Sequence, residues 1–243
     1  MHEHGSPLAE AGEAAAAAPA DGTNGAKGTQ LRRDSLFLQI YEQLCTGLSG
    51  GRFRPGESVT LRQLADDFGT SIMPVREAVS RLISEGALCM LPNRKVIVPE
   101  MTRDRFQDLT ELRRLIEPVA AARATQRLPE PQIAQLAQIN DEVLAGIAAG
   151  DVARALGANR DFHMKIYQAA GSEPLMQAIS NTWLQVGPFL YHSMTSKQVP
   201  WTTAHHVLVI TALRNHDAKA AAQSILDDID ESASHLLETR FRG

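Results

Sequence analysis

The chain has 243 residues, of which 44% are hydrophobic and 5% aromatic, and its formal net charge is −4. This composition indicates a globular, mostly helical protein with room for one small and one medium domain. No stretch approaches the roughly 18 apolar residues of a membrane span, and the alanine run at 14–18 lacks the basic start and the length of a signal peptide. We therefore expect a cytoplasmic protein with no membrane partner.

Charge is distributed unevenly along the chain. Residues 31–100 carry nine Lys and Arg against eight acids, a net charge of +1, while residues 1–30 sum to −3 and residues 101–243 to −2. Bulk attraction to a polyanion is therefore weak everywhere. A nucleic-acid complex of this chain would depend on the placement of individual arginines and on dimerisation.

The first segment, residues 1–30, is rich in Gly, Ala, Pro and Thr and has no large apolar residue beyond Met1 and Leu8. Such a segment cannot bury enough apolar surface to offset the conformational entropy lost on folding. We predict that it is a disordered tail.

Residues 57–91 predict two short amphipathic helices joined by a tight turn at Gly69. Ser71 and Pro74 are typical of a helix start and Gly86 of a helix stop. The apolar positions repeat at helical spacing, at Leu61, Leu64 and Ala65 in the first helix and at Val75, Val79, Leu82 and Ile83 in the second. This is the helix-turn-helix layout, in which the second helix enters the DNA major groove, although an ordinary helical hairpin has the same pattern.

A β-hairpin is predicted directly after these helices. The apolar runs 88–91 and 96–98 flank a polar tip, Asn93-Arg94-Lys95. A hairpin in this place makes residues 31–99 a winged helix-turn-helix, with Arg76 and Arg81 on the polar side of its second helix.

Several short strings in this region carry a family resemblance: Pro55-Gly56, Leu64-Ala65, Pro74-Val75-Arg76-Glu77-Ala78, Arg81-Leu82 and Glu85-Gly86. From about residue 36 to 99 the chain resembles the DNA-binding domain of the GntR family of bacterial transcription regulators. The resemblance implies a homodimer that binds a palindromic operator in double-stranded DNA. It places DNA contacts at Arg62, Ser71 and Arg76.

Two positions depart from the family pattern. Ile72-Met73 stands where the family usually has Arg-Thr, and Lys95 stands where the wing usually has a glycine. We expect Arg94 and Lys95 at the wing tip to contact DNA. Ile72 can make only van der Waals contact, for instance with a thymine methyl group, so the operator is expected to differ from the family's common one.

Residues 100–243 predict an antiparallel bundle of six helices joined by short loops. The predicted helices are 103–127, 131–149, 151–170, 173–196, 205–215 and 217–240. We expect the fourth helix to be interrupted near Gly187-Pro188 and the sixth to begin with Asp217 as its N-cap.

Five polar residues intrude on the inward faces of these helices: Arg113, Asn159, His163, His206 and Asp228. A buried charge or imidazole without a partner is costly, so these groups are expected to meet one another or a ligand. Two imidazoles, a carboxylate and an amide oxygen from three helices can hold a divalent transition metal. Hydrogen-bonded core residues are the alternative.

This part of the chain also carries a resemblance, in the string from Asn159 to His163, the Ala-Ala-Gly at 169–171, and His206 followed by Ala212-Leu213 and Asp217. It is similar to the FCD effector domain of FadR-type regulators, and six helices place it nearer the VanR-like subgroup. The resemblance implies a bound Zn, Ni or Mn ion at Asn159, His163 and His206. Asp228 stands at the position of the family's third histidine. It either ligates through oxygen or marks the loss of the metal.

The same resemblance assigns Arg113 to an effector pocket, where its guanidinium would grip a small carboxylate. A buried ion pair with Asp228 or another core acid is the alternative role. Tyr191 is expected to line this pocket, with His192, Trp183 and Trp201 as further candidates.

The resemblance and the pattern together predict a transcription regulator, a repressor released from its operator by a small organic acid. Residues 99–102, the only covalent path between the two halves, would transmit the signal. A metal-sensing regulator is the first alternative, and a metal-dependent hydrolase the second.

Overall fold

The computed structural model describes residues 23–93, 95–195 and 202–241. The first half contains, in order, α1 (Thr23–Ser49), β1 (Ser58–Val59), α2 (Leu61–Asp67), α3 (Ile72–Ser84), β2 (Cys89–Met90) and β3 (Val96–Ile97). The second half contains α4 (Arg103–Ala124), α5 (Glu130–Ala149), α6 (Val152–Gln168), α7 (Glu173–Met194), α8 (Ala204–Arg214) and α9 (Ala218–Arg240). The predicted architecture, a winged helix-turn-helix followed by an all-helical domain, is confirmed.

The segment 1–30, predicted to be disordered, overlaps the start of α1. Helix α1 already begins at Thr23, so residues 23–30 are helical, and residues 1–22 lie outside the described residues. Propagating a helix costs far less than nucleating one. The buried side chains of Ile40, Leu44 and Leu48 fix the C-terminal half of α1, and the polar N-terminal residues extend it.

Local sequence signals define the helix-turn-helix. Thr60 and Gln63 form a capping box at the start of α2, in which each side chain accepts a hydrogen bond from the other's backbone N–H. Gly69 adopts φ +60° in the turn, a conformation that favours glycine. Ser71 is the N-cap of α3, but its hydroxyl makes no side-chain cap hydrogen bond.

The wing is a three-stranded antiparallel sheet in the order β1-β3-β2. The hairpin of β2 and β3 was expected, and it pairs Cys89 with Ile97 and Met90 with Val96. Strand β1 was not predicted, because two residues are too few to show an alternating pattern.

Helix α7 runs without interruption through Gly187 and Pro188, so the predicted break is wrong. A proline removes one backbone hydrogen bond, but both residues are buried, and packing on either side holds the helix together. Gly187 has a second role here. A Cβ atom at this position would lie 2.5 Å from the Cα of Ser49, so glycine permits close contact between α7 and α1.

Helix α7 belongs to two hydrophobic cores. Trp183 is buried in the core of the helical domain, and the next residue, Leu184, is buried in the core of the winged helix. Polar contacts reinforce the junction: Arg160 donates to the Ser49 hydroxyl at 2.7 Å, and the Gln185 amide donates to the Glu85 carbonyl at 3.3 Å. The two domains are therefore joined by packing as well as by residues 99–102.

A membrane span is not found among the helices of the described residues, since none combines the necessary length and apolarity.

The close approach at Gly187 generates a stability prediction. Gly187→Ala forces Ser49 and α7 apart and should lower the free energy of unfolding by roughly 1–3 kcal/mol, the usual effect of overpacking. Gly157→Ala is the matched control, because a Cβ at Gly157, also inside a helix, would meet no atom within 4 Å. Gly157→Ala should raise the free energy of unfolding by up to roughly 1 kcal/mol, because alanine has the higher helix propensity. Equal changes in urea-denaturation midpoint for the two variants would contradict this account of the junction.

Candidate metal and effector site

Three helices bring two histidines and one aspartate together inside the helical domain. His163 on α6, His206 on α8 and Asp228 on α9 each offer a ligand atom, and these atoms all lie within 4.8 Å of one another. The His163 Nε2 and Asp228 Oδ2 atoms are 3.4 Å apart. Both histidines are 1% exposed, and the Asp228 side chain is 21% exposed.

The ring orientation of both histidines is set by hydrogen bonds on the far side from the cluster. His206 Nδ1 lies 2.9 Å from Oδ1 of Asn140, an acceptor, so Nδ1 carries the proton. Tyr167 donates its hydroxyl proton to Glu117 and therefore accepts from His163 Nδ1 at 3.1 Å. In each ring the Nε2 lone pair is left for the cluster, the arrangement typical of metal-ligating histidines.

Burial keeps both imidazoles neutral. It lowers the pKa of His206 to about 3, with a further lowering from His205, and it lowers the pKa of His163 well below its ordinary value. Burial also raises the pKa of Asp228 to about 6, although Arg113 and His205 act in the opposite direction. The histidines are thus neutral donors near pH 7, and the Asp228 carboxylate is largely ionised there.

Asn159 lies one helical turn before His163 on α6. Its side chain is buried, and its Oδ1 atom has no hydrogen-bond partner among the described residues. An unpaired buried acceptor is destabilising, and a cation would satisfy it. Two imidazole nitrogens, a carboxylate and an amide oxygen are suitable ligands for Zn²⁺, Ni²⁺ or Mn²⁺, so these four residues fit a divalent metal.

Glu117 is the centre of a buried network beside this cluster. Its Oε1 atom accepts from Arg113 Nε at 2.6 Å and from Trp183 Nε1 at 3.0 Å. Its Oε2 atom accepts from Arg113 Nη2 at 3.2 Å and from the Tyr167 hydroxyl at 2.7 Å. Glu117 is fully buried and receives four hydrogen bonds from three helices, α4, α6 and α7.

Arg113 therefore has a core partner, and that partner is Glu117, four residues later on the same helix. Burial by itself lowers the pKa of the Arg113 guanidinium, but the Glu117 carboxylate outweighs it and raises the pKa overall, so the group stays charged. The pair takes two of its five N–H donors. The guanidinium carbon lies 5.0 Å from the centre of the Trp183 ring.

Tyr191 is not brought to the histidine cluster. It lies about two turns beyond Trp183 on α7, and its ring packs under the Arg54 guanidinium at 4.6 Å, at the junction with the winged helix. Trp201, another candidate for the pocket wall, lies outside the described residues.

Sequence reasoning did not assign roles to Glu117, Tyr167 or Asn140. Two of them follow a singled-out residue by four positions, Glu117 after Arg113 and Tyr167 after His163, which places each pair on one helix face. Asn140 interrupts an inward stripe with Leu136 and Val143 on α5. The four-residue spacing could therefore have identified Glu117 and Tyr167, and the polar residue on an apolar helix face could have identified Asn140.

The predicted DNA-contacting surface is exposed. Arg62, Ser71, Arg76 and Lys95 are all exposed, and Ile72 is 39% exposed. Arg94 lies outside the described residues. The Arg81 side chain is 47% exposed but engaged, with its guanidinium carbon 4.0 Å from the centre of the Tyr41 ring and its Nε 3.0 Å from Glu85.

Glu117 is the most sensitive position for stability. Glu117→Gln keeps the shape but removes the ion-pair partner of the buried Arg113 guanidinium, and we expect a loss of roughly 3–5 kcal/mol in unfolding free energy. The control is Arg114→Ala, which removes the exposed ion pair with Asp230 and should cost no more than about 1 kcal/mol. Similar denaturation midpoints for the two variants would show that the network is not structural.

Comparison with known proteins gives the family of each half. Residues 36–98 match the model of the bacterial regulatory proteins of the gntR family, and residues 108–231 match the FCD domain model. The HTH-type transcriptional regulator McbR of Escherichia coli (strain K12) is 26% identical over 86% of this chain and 96% of its own length. The probable D-xylose utilization operon transcriptional repressor of Paenarthrobacter nicotinovorans is 25% identical over 81% of this chain and 86% of its own.

The fold is shared with a solved relative. The structure of E. coli McbR/YncC superimposes with a TM-score of 0.76 at 26% identity, and the match covers 84% of this chain and 97% of that one. Together with the two domain matches, this shows that the chain belongs to the GntR family of bacterial transcription regulators and carries an FCD domain.

Proposed function

We propose that this regulator is a homodimeric repressor of the VanR-like subgroup that leaves its operator when a small organic acid binds beside a metal ion in the FCD domain. The observation that carries the proposal is the position of α7. This helix contributes Trp183 to the network beside the candidate metal site and Leu184 to the core of the DNA-binding domain.

The DNA side of the proposal rests on α3 and the wing. Arg76 is exposed on the polar face of α3, Ser71 keeps its hydroxyl free of a capping hydrogen bond, and Lys95 lies at the tip of the wing. We assign direct operator contacts to these residues and to Arg62. Action on chromosomal DNA implies a cytoplasmic protein.

Dimerisation has a candidate surface on α4. Leu112, Leu115 and Val119 follow one stripe of the helix and are 41%, 66% and 43% exposed. Large apolar side chains grouped at helical spacing on a surface are typical of a protein interface. We assign this stripe to contact with a second copy, so that two recognition helices face half-sites about one DNA turn apart.

The ligand side rests on the arrangement around His163. Asn159, His163, His206 and Asp228 would hold the metal, which supplies a Lewis acid for one oxygen of a carboxylate ligand. Arg113 uses only part of its donor set on Glu117 and would provide a second, bidentate contact. Six helices in the described part of the FCD domain support the VanR-like assignment.

Ligand binding would be transmitted through α7 as well as through residues 99–102. A ligand shifts an equilibrium only by its differential affinity for two states, so the two states must differ where the ligand binds. A change at Arg113 alters the Glu117 network, which includes Trp183 on α7. Leu184 and Gln185, the next residues on α7, contact the winged helix directly.

Two alternatives compete with this proposal. In a metal-sensing regulator the metal itself is the signal, and operator release would follow metal binding without any acid. A metal-dependent hydrolase has the same ligand set, but the exposed recognition helix and the relatives named as regulators support the regulatory function.

The first prediction concerns the metal. Purified protein should contain about one equivalent of divalent metal per chain by elemental analysis. After removal of the metal with a chelator, added Zn²⁺, Ni²⁺ or Mn²⁺ should raise the melting temperature, because the metal binds only the folded state. His163→Ala should lower the metal content and remove the thermal shift. His192→Ala, a half-buried histidine beside Arg240, is the matched control and should change neither. Metal-free protein with no thermal shift would mean that Asp228 marks the loss of the site.

The second prediction concerns the acid. Arg113→Lys keeps a positive charge for Glu117 but loses the planar fork, so we expect at least a tenfold higher acid concentration for operator release. Fluorescence anisotropy with a selected operator and a panel of mono-, di- and tricarboxylic acids measures this. Arg114→Lys, at the exposed neighbouring position, should behave as wild type. Release by metal alone, with no response to any acid, would favour the metal sensor.

The third prediction concerns DNA. Arg76→Ala should weaken operator binding by roughly 1–3 kcal/mol, because it removes a contact from the recognition helix. Arg81→Ala is the control on the same helix, since Arg81 is engaged with Tyr41 and Glu85 and should affect stability more than operator affinity. Wild-type affinity in folded, dimeric Arg76→Ala would contradict the assignment of α3 as the recognition helix.

A further inference from the structure

The recognition helix has two kinds of apolar residue. Val75, Val79 and Leu82 are buried in α3 and form part of the winged-helix core. Ile72 and Met73 are 39% and 46% exposed. The fold therefore places two large apolar side chains in water at one end of this helix.

Ile72 and Met73 lie at the N-terminal end of α3, the end expected to contact DNA bases. They are the first two residues of α3, directly after the N-cap Ser71, and Arg76 follows one turn later on the exposed side. In helix-turn-helix proteins the N-terminal residues of the recognition helix contact the base edges in the major groove.

Chemistry narrows what these side chains can recognise. Neither isoleucine nor methionine can form a strong hydrogen bond with a base, and packing either one against the polar edge of a base leaves a donor or acceptor unpaired. The apolar group that the four standard bases present in the major groove is the C5-methyl of thymine. 5-Methylcytosine presents the same methyl group.

We infer that Ile72 and Met73 form an apolar patch, the Ile72–Met73 patch, that selects operator half-sites by contact with pyrimidine C5-methyl groups. The inference rests on the proposed function, because it requires α3 to enter the major groove. It adds Met73 as a specificity-determining residue and makes thymine content a property of the half-site.

The test begins with selection of bound sequences from a random duplex library by the full chain. Thymines of the enriched half-site are then replaced singly by uracil, which deletes only the methyl group. We expect roughly three- to tenfold weaker binding at one or two positions per half-site, the effect of exposing one buried methyl. At the same positions a 5-methylcytosine·guanine pair should bind more tightly than cytosine·guanine. Uracil duplexes that bind as well as thymine duplexes would overturn the inference.

Substitutions locate the effect on the patch. The double variant Ile72→Ala/Met73→Ala should bind thymine and uracil duplexes equally, and each single variant should lose part of the difference. Leu144→Ala, an equally exposed leucine on α5 of the FCD domain, is the matched control and should keep the full thymine preference. A double variant that still binds thymine duplexes more tightly than uracil duplexes would overturn the inference. If that variant had also become monomeric, the patch would be a protein interface instead.

The outcome separates this inference from the function on which it rests. If a defined sequence is enriched but uracil can replace thymine at every position, the proposed DNA-binding function stands and the proposed methyl contact is refuted. Failure to enrich any sequence refutes the DNA-binding proposal itself, and the patch with it.

Discussion

The hydrogen bonds to the buried Glu117 carboxylate are the interaction on which the rest of the helical domain depends. A carboxylate with no exposure to water is stable only when its oxygens are fully paired, and this one accepts four hydrogen bonds. Glu117 keeps Arg113 charged and holds its guanidinium in place beside the ligand cluster. Through Tyr167 it fixes the orientation of His163. The candidate metal site and the candidate acid-binding group are therefore two branches of one network.

The third branch, through Trp183, leads out of the helical domain. Trp183 and Leu184 are neighbours on one rigid helix but are buried in different cores. Gly187 allows the backbones of α7 and α1 to approach closely, and Arg160 and Gln185 add hydrogen bonds across the junction. Displacement of such a helix cannot be confined to one domain, because both cores are close-packed. This geometry supports the proposed path from the candidate ligand site to the winged helix, in addition to the covalent linker.

The sequence predicted what short-range pattern can encode. The helix-turn-helix followed from apolar spacing and from Gly69, and Asp217 does cap α9, where its side chain accepts from the Ala220 N–H. His163, His206 and Asp228 were singled out as polar intrusions on separate helices, and the fold does bring them together. Two of the differences between expectation and structure share a cause, because both depend on tertiary contacts. Pro188 does not break α7 because the helix is packed on both sides. The alternative role of Arg113, a buried ion pair with a core acid, is found, but only the fold identifies that acid as Glu117.

The central claim is that the ligand cluster and the winged helix are coupled through α7. Hydrogen exchange of the full chain, read by mass spectrometry with chelator and then with saturating Zn²⁺, Ni²⁺ or Mn²⁺, tests it most directly. The account predicts slower exchange in α6, α8 and α9, which carry the ligands, and also in α7 and in the C-terminal turns of α1 around Leu48 and Ser49. Protection confined to the three ligand-bearing helices, with α7 and α1 unchanged, would contradict it.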